Sequence, residues 1–310
     1  MDLRGKHVFI TGGSKGIGRA LAVEAAQRGA TVTIVARHDQ PLRDTKERLQ
    51  QICDFNNTDA AATTQTEQRC VYFQLDVTRG YQEICSVLSE AVKWHGPVDV
   101  LINNTGNVGV QGALETIPPE HFEQAFRLNV ISAQWMCRAV IPSMKQRKTG
   151  RIVFISSVAG QIGLWGYGSY SATKFALRGL AESIQMELAP YNVWVTVAYP
   201  PNTDTEGFGE ERESMPPELQ AITGAAGLYE PKVVAKGVLD DTQKGHFASC
   251  FGVDGCFIGI ACAGIAAERS VLRLLIQCSL MGVSRLAFAF VQRWFAFVVR
   301  KCAEEKSKRD

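Results

Sequence analysis

The sequence lacks the features that mark nucleic-acid-binding, metal-binding and disulfide-stabilised proteins. Its 33 Lys and Arg against 31 Asp and Glu leave a net charge of only +2, which is too small to favour a nucleic-acid partner. The nine cysteines are scattered and form no C-x-x-C pair, so neither a zinc site nor a disulfide framework is indicated. We therefore expect free thiols in a reducing compartment, no metal and no nucleic acid.

Internal repeats and an N-terminal apolar run are also lacking. The first residues, M-D-L-R-G-K-H-V, enter a predicted strand almost at once, so we expect neither a signal peptide nor an N-terminal membrane anchor. The 310 residues, 46% of them hydrophobic, fit one large α/β domain with an appendage, or two small domains.

What is present is an alternation of strand-like and helix-like segments up to about residue 205. Apolar, β-branched runs predict strands at 7–10, 31–36, 71–75, 98–102, 152–155 and 193–198. Helices are predicted at 19–28, 41–53, 81–95, 119–144 and 170–188, the fourth interrupted at Asn129 and ended by Pro142. The polar, aperiodic stretch 54–69 predicts an exposed loop or insertion. The pattern predicts a doubly wound α/β fold with a parallel, Rossmann-type sheet.

A glycine-rich turn, T-G-G-S-K-G-I-G, links the first strand to the first helix. Bare backbone N–H groups at a helix N-terminus can bind a pyrophosphate, and glycines let it approach. The spacing is G-x-x-x-G-x-G, and its place between strand and helix predicts a dinucleotide site, with a plain glycine-rich loop as the alternative. The residues assigned to this turn are Gly12, Ser14, Lys15, Gly16, Ile17 and Gly18.

Two basic residues bear on which dinucleotide binds. An acidic residue after the second strand would hold a ribose 2′-hydroxyl, whereas an arginine suits a 2′-phosphate. Arg37 at that position and Lys15 in the glycine turn together favour NADP(H) over NAD(H). The alternative is that Arg37 is a solvated surface residue and that Asp39 holds the ribose.

Further cofactor candidates follow the third and fourth strands, because ligands in open α/β sheets bind at the carboxyl ends of strands. Asp76 and Val77 could bracket an adenine, although Asp76 could equally be a helix N-cap. Asn103 and Gly106, within N-N-T-G, could fix the cofactor floor, with a turn built from Asn and Gly as the alternative.

The segment from Tyr170 to Leu188 carries a pair of reactive side chains. Tyr170 and Lys174 are four residues apart on a predicted helix, so they stand on one face. A nearby ammonium can lower the pKa of a phenol from about 10 by roughly 1–3 units. Tyr170 would then serve as a proton donor or acceptor near neutral pH. Taken alone, the pair would more simply be a surface pair.

Ser157 and Asn129 complete the set of candidate catalytic residues. Ser157 follows the strand 152–155, where its hydroxyl could donate to a substrate oxygen, and a capping or turn serine is the alternative. Asn129 lies within an apolar helical run and, if buried, needs hydrogen-bond partners or a bridging water.

The ordered set T-G-G-S-K-G-I-G, L-D-V, N-N-T-G, Asn129, Ser157 and Tyr170 with Lys174 resembles the short-chain dehydrogenase/reductase family over about residues 5–205. The resemblance implies that Tyr170 is the acid/base and that Lys174 lowers its pKa and holds the nicotinamide ribose. It also implies that Ser157 orients the carbonyl and that Asn129 supports a water relay. Further implied cofactor contacts are Pro200, Thr203 and Thr205.

Two positions depart from the family pattern. N-N-T-G stands where N-N-A-G is usual, and Pro200-Pro201 where P-G is usual; the second change removes an N–H near the nicotinamide amide.

Longer strings resemble one branch of this family, whose members reduce a long-chain sphingoid ketone with NADPH. They are S-S-V-A-G-Q-I-G-L-W-G-Y, Y-S-A-T-K-F-A-L-R-G-L-A-E, P-Y-N-V-W-V-T-V-A-Y-P-P-N-T-D-T-E-G-F and F-G-V-D-G. The branch implies a role in sphingolipid synthesis at the endoplasmic reticulum membrane, with the catalytic domain facing the cytosol, and leaves a homo-oligomer open. The alternatives are a steroid or retinoid dehydrogenase of similar build and a non-catalytic, NADPH-binding membrane adaptor.

The C-terminal part differs in character, and we expect residues 1–255 to form the catalytic domain and 256–310 a hydrophobic helical extension. Within the former, 206–228 predicts a lid over the substrate or a surface excursion. The run from Leu280 to Val299 is long enough to span a bilayer. Arg285, Gln292 and Arg293 interrupt it, which favours an amphipathic helix lying in the membrane interface. A soluble core or dimer helix and a true span are the alternatives.

Overall fold

A computed structural model describes residues 1–60, 68–224, 226–266 and 268–308. The strands are β1 (His7–Thr11), β2 (Thr31–Ala36), β3 (Cys70–Gln74), β4 (Val100–Asn103), β5 (Gly150–Ile155), β6 (Val193–Tyr199) and β7 (Ala248–Cys250). The helices are α1 (Gly16–Gln27), α2 (Asp39–Ala60), α3 (Tyr81–His95), α4 (Pro119–Phe126), α5 (Ser132–Arg147), α6 (Gly168–Leu188), α7 (Glu206–Glu213), α8 (Pro217–Thr223), α9 (Pro231–Lys244), α10 (Gly252–Ala261) and α11 (Val271–Ser307).

The strands form one parallel sheet in the order β3-β2-β1-β4-β5-β6-β7. Successive side chains of a strand point to opposite faces, so Phe9 packs in one apolar core with α3, α5 and α6, and Val8 and Ile10 pack in the other with α1, α2 and α9. Both faces are therefore covered by helices, and the predicted doubly wound fold is confirmed. The strand order reverses between β1 and β4, where such folds bind ligands.

The predicted loop at 54–69 is wrong in its first part, because α2 continues to Ala60. Polar side chains on this last stretch have tertiary partners that the sequence does not display. Asn56 donates to the carbonyl of Ala26 at 3.1 Å, and Asn57 donates to the carbonyl of Gln68 at 2.9 Å. Residues 61–67 of the predicted loop lie outside the described residues.

The prediction that Pro142 ends the fourth helix is also wrong. α5 continues through Pro142 to Arg147 and then turns at Lys148, whose φ of 51° is left-handed. Arg147 donates to the Asp99 carboxylate and to the Val98 carbonyl, both at 2.6 Å, and these contacts fix the last turn. The predicted interruption at Asn129 is present as one turn of π-helix, 127–131, between α4 and α5.

The C-terminal extension consists of α10 and the 37-residue α11, so the hydrophobic helical extension is confirmed. The stretch Val271–Lys306 contains an 18-residue window with a mean hydropathy of 1.8 and is long and apolar enough to cross a membrane. α11 also contacts the domain, because Lys306 donates to the buried carboxylate of Glu218 on α8 at 2.7 Å. The strand β7, only three residues long, was not predicted.

Candidate active site

The carboxyl ends of the central strands open on a single cleft of about 1230 Å³. Its walls come from the glycine turn, the ends of β2, β4, β5 and β6, the short helices α7 and α8, and the C-terminal α10 and α11. One continuous space is thus lined by the predicted dinucleotide turn, the predicted catalytic residues and an apolar wall.

The glycine turn leaves a bare backbone cradle at the N-terminus of α1. Gly12 and Gly16 have φ of +66° and +51°, a region that side chains rarely adopt. A Cβ on Gly18 would lie 2.1 Å from the Gly12 carbonyl oxygen, and one on Gly16 would lie 3.1 Å from a methyl carbon of Thr205. Bare N–H groups at a helix N-terminus suit a pyrophosphate, so these residues fit a dinucleotide. Ser14, Lys15 and Ile17 also line the cleft.

The fourth-strand motif braces this cradle through Asn104, the second asparagine of N-N-T-G, whereas Asn103 was the asparagine assigned to the cofactor. Its side chain donates to the carbonyls of Thr11 at 3.0 Å and Gly12 at 3.1 Å. The Asn103 side chain instead donates to the Cys137 sulfur at 3.5 Å and does not line the cleft. Successive strand residues face opposite ways, so only one of the two asparagines can face the cleft.

At the end of β2 the basic side chains face the cleft and the acidic one is engaged elsewhere. Arg37 and His38 line the cleft with Lys15, whereas the Asp39 carboxylate pairs with Arg43 at 2.6 Å. Val77 lines the cleft next to them. Asp76 does not, because its carboxylate accepts from the amide and hydroxyl of Thr78, at 2.9 and 2.7 Å. Helix α3 begins only at Tyr81, so Asp76 is not its N-cap either.

Tyr170, Ser157 and Lys174 all line the cleft. The Ser157 hydroxyl accepts from the Ala159 amide at 3.2 Å and is also hydrogen-bonded to the Tyr170 phenol. Lys174 is 4% exposed, lies with its ammonium 5.5 Å from the centre of the Tyr170 ring, and donates to the Ile155 carbonyl at 2.8 Å. Tyr170 and Lys174 thus face the same cleft from positions one helical turn apart on α6.

Burial dominates the electrostatics of this pair. It raises the pKa of Tyr170 above its ordinary value, the Glu211 carboxylate raises it further, and the hydrogen bond from Ser157 acts the other way. Burial also lowers the pKa of Lys174 to about 8. The pKa of Tyr170 therefore moves opposite to the direction expected from the sequence, because burial and the Glu211 carboxylate both disfavour the phenolate.

Asn129 is buried and fully engaged behind the cleft. Its amide donates to the Asn107 carbonyl and to the Thr173 hydroxyl, both at 3.0 Å, and its oxygen accepts from the Asn107 amide at 3.1 Å. A Cβ on Gly106 would lie 3.0 Å from the Asn129 oxygen and 3.3 Å from the Lys174 nitrogen. Gly106 therefore keeps open the space between those two polar groups.

The loop after β6 closes the cofactor end of the cleft. Pro200, Pro201, Thr203 and Thr205 all line the cleft. The Thr205 hydroxyl accepts from the Phe208 amide at 3.1 Å and so caps α7. This cap joins the predicted cofactor loop directly to the predicted lid, which is helical as α7 and α8.

Two features of the cleft were not found from the sequence. Glu211 on α7 accepts a short hydrogen bond from Tyr167, whose ring packs edge-on against Tyr170 with centroids 5.2 Å apart. No local pattern marks Glu211, since it is one of several acids on a polar helix. One wall of the cleft is apolar and consists of Phe257, Ile258, Ala287, Phe288, Val291, Trp294 and Phe295 from α10 and α11.

Comparison with known proteins assigns the class. The family described as short chain dehydrogenase matches residues 6–216. The chain belongs to the short-chain dehydrogenase/reductase family, and as a member it is an oxidoreductase; the family and the fold imply a nicotinamide cofactor. A crystal structure of levodione reductase has the same fold, with a TM-score of 0.68 over 77% of this chain and 92% of that one, at 21% identity.

Individual relatives are similar over nearly the whole chain. The 3-dehydrosphinganine reductase of Danio rerio is 40% identical over 308 residues, which cover 99% of this chain and 90% of that protein. The 3-ketodihydrosphingosine reductase of Bos taurus is 39% identical with the same coverage. The Arabidopsis thaliana 3-dehydrosphinganine reductase TSC10A is 34% identical over 99% of this chain and 90% of its own length.

Proposed function

We propose that this chain is an NADPH-dependent reductase that converts 3-ketodihydrosphingosine to dihydrosphingosine in sphingolipid biosynthesis. The observation that carries the proposal is that one cleft is lined by three kinds of feature. They are a bare glycine cradle, the set of Tyr170, Ser157 and Lys174, and an apolar wall from α10 and α11. The relatives at 39–40% identity described above are reductases of this ketone by name, which supports the proposal.

The proposed chemistry divides between cofactor and chain. The nicotinamide, when bound, supplies the hydride that reduces the ketone carbon. Tyr170 donates the proton to the ketone oxygen, and its raised pKa keeps the phenol protonated at neutral pH, as a donor must be. An alkoxide is a stronger base than a phenolate, so this transfer is still favourable.

The neighbours of Tyr170 have positioning roles in the proposal. The Ser157 hydroxyl, fixed at the end of β5, holds the ketone oxygen next to the phenol. Lys174, with a pKa of about 8, is mostly protonated at neutral pH and supplies an N–H donor for the ribose hydroxyls. The Asn129 amide anchors the backbone at Asn107 beside them.

NADPH is the proposed cofactor because of the charges around the end of β2. Arg37 and Lys15 line the cleft with positive charge, which suits a 2′-phosphate. Asp39, the alternative residue for holding a 2′-hydroxyl, is paired with Arg43.

The apolar wall of the cleft supports a long alkyl chain as part of the substrate. Aromatic and aliphatic side chains such as Phe288, Val291 and Phe295 line it, and α11 supplies most of them. Burial of an alkyl chain against such side chains contributes about 0.8 kcal/mol per CH₂. A compact ketone could not use that surface.

We further propose that residues 256–310 attach the protein to the endoplasmic reticulum membrane, with the catalytic domain, 1–255, on the cytosolic side. α11 carries large exposed apolar side chains at helical spacing, and 61–63% of Val283, Leu286, Phe290 and Phe297 is exposed. A neighbouring face of the helix lines the cleft, and Lys306 holds the end of α11 to α8. A helix that contacts the domain through α8 and α10 and is otherwise exposed fits an interfacial position better than a span.

The test is Tyr170→Phe, with NADPH oxidation followed on the sphingoid ketone in detergent. We expect turnover to fall by about 10²–10⁴-fold while NADPH binding, measured by fluorescence, stays. Tyr191→Phe, a half-buried tyrosine outside the cleft, is the matched control and should keep its rate. Near-normal turnover of Tyr170→Phe would contradict the assignment of the acid. A preference of the wild type for steroid ketones would contradict the substrate.

A further inference from the structure

Glu211 is an acidic side chain at the catalytic centre for which reduction of a ketone has no obvious use. It lies on α7, lines the cleft and is linked to Tyr170 through the ring of Tyr167. Its charge reaches the Tyr170 phenol, since it raises the pKa of that group. A carboxylate beside the proton donor opposes formation of the phenolate, so a compensating benefit is expected.

The other charges of the cleft have partners or lie elsewhere. Glu206 is paired with Arg19 at 2.7 Å, and the Lys174 ammonium donates to a backbone carbonyl. Glu210 and Asp254 line the cleft but are exposed. Among the residues that the structure describes, Glu211 forms no ion pair with a lysine, arginine or histidine. Burial raises its pKa, which is the cost of a carboxylate without a cation.

A second acceptor lies next to it. The Gln111 side chain lines the cleft and donates to the Glu211 backbone carbonyl at 3.3 Å, while its own amide oxygen is buried and has no hydrogen-bond partner in the described part of the chain. An ammonium group has three N–H donors and no acceptor. A carboxylate and an orphaned amide oxygen together fit such a group, and they fit an anion poorly.

We propose that Glu211, with the Gln111 amide oxygen, binds the ammonium on the carbon next to the ketone of the substrate. This inference rests on the proposed function, because a sphingoid ketone carries an amine at that carbon. With the ketone oxygen at Tyr170 and the alkyl chain against α10 and α11, the amine is the remaining polar group close to the reacting carbon. Glu211 then makes the enzyme selective for α-amino ketones.

The experiment compares two substrates of equal chain length, the 2-amino-1-hydroxy-3-ketone and the same compound without the amine. Wild type should show a kcat/KM for the amino ketone at least tenfold above that for the des-amino ketone. In Glu211→Gln, whose amide oxygen can still accept from Tyr167, this ratio should fall by about 10- to 100-fold, because a charge-assisted contact is lost. Glu211→Asp keeps the charge and should retain most of the preference.

Glu213→Gln is the matched control, because Glu213 lies on the same helix, is exposed and does not line the cleft; its ratio should equal that of wild type. An unchanged ratio in Glu211→Gln, or a wild type that reduces both ketones equally well, overturns the inference while the proposed function stands. A wild type that reduces neither ketone with NADPH overturns the proposed function itself. A general loss of structure would lower both rates together and leave the ratio unchanged, so it cannot imitate the expected result.

Discussion

The assignment of NADPH rests on Arg37, and Arg37→Ala tests it. Arg37 and Lys15 line the cleft but are exposed, so each contact with a 2′-phosphate is screened by solvent. We therefore take the lower part of the range for a charge-assisted hydrogen bond, about 1–2 kcal/mol. The substitution should raise the KM for NADPH by about 5- to 30-fold.

The expected signature is selective for the cofactor. KM and kcat are measured with NADPH and with NADH at a fixed, saturating ketone concentration, at low and at moderate salt. The KM for NADH and both kcat values should change less than twofold, and the effect on NADPH should shrink as salt rises. Arg48→Ala, an exposed arginine of α2 that does not line the cleft, is the control. An equal rise for both cofactors would refute the reasoning, because a general distortion of the turn affects both.

Three further predictions concern the cradle, the core and α11. Gly18→Ala should abolish dinucleotide binding measured by fluorescence, because its Cβ would lie 2.1 Å from the Gly12 carbonyl oxygen. The control is Gly179→Ala, which has open space around the new Cβ. This control should bind the dinucleotide normally and unfold at a slightly higher temperature. Burial lowers the pKa of His7 to about 4, against about 6.5 in the unfolded chain, so the folded protein binds this proton more weakly. The free energy of unfolding is therefore retained above pH 6.5 and falls by up to about 3 kcal/mol towards pH 4. In urea unfolding at pH 7 and at pH 4.5, His7→Gln should lose less stability between the two pH values than wild type, and an equal loss would contradict this. The double variant Leu286→Glu, Phe290→Glu should reduce co-sedimentation with phosphatidylcholine/phosphatidylserine vesicles at least tenfold. Met186→Glu changes an exposed apolar residue of α6 and should leave co-sedimentation unchanged. Equal binding by wild type and both variants would argue against membrane contact through α11.

Local patterns were sufficient for the elements that carry the cofactor turn. The run His7–Thr11 followed by spaced glycines predicts strand, turn and helix, because side-chain periodicity and glycine's freedom at positive φ are local properties. The interruption at Asn129 was also readable, since a polar residue inside an apolar helical run needs partners wherever it folds. Errors occurred where distant residues act, as at Pro142, where contacts of Arg147 with Asp99 and Val98 carry the helix onward.

Electrostatics at the site could not be obtained from spacing. The four-residue interval between Tyr170 and Lys174 correctly predicted that they share a face, but the predicted fall in the pKa of Tyr170 was wrong in direction. Burial by α7 and the charge of Glu211, which lies 41 positions downstream of Tyr170 in the chain, raise that pKa instead. Asn103 and Asn104 show the same limit, because the side that each faces depends on the pleat of β4.

The sequence by itself determined the parallel α/β architecture, the dinucleotide turn and the presence of a Ser157–Tyr170–Lys174 set, because each is written in residues that are close together or in a fixed order along the chain. Only the tertiary structure decided that Glu211, Tyr167 and the apolar side chains of α10 and α11 share one cleft with that set. Their proximity comes from the packing of α7 and α11 over the sheet edge, and no local periodicity encodes contacts between segments so far apart.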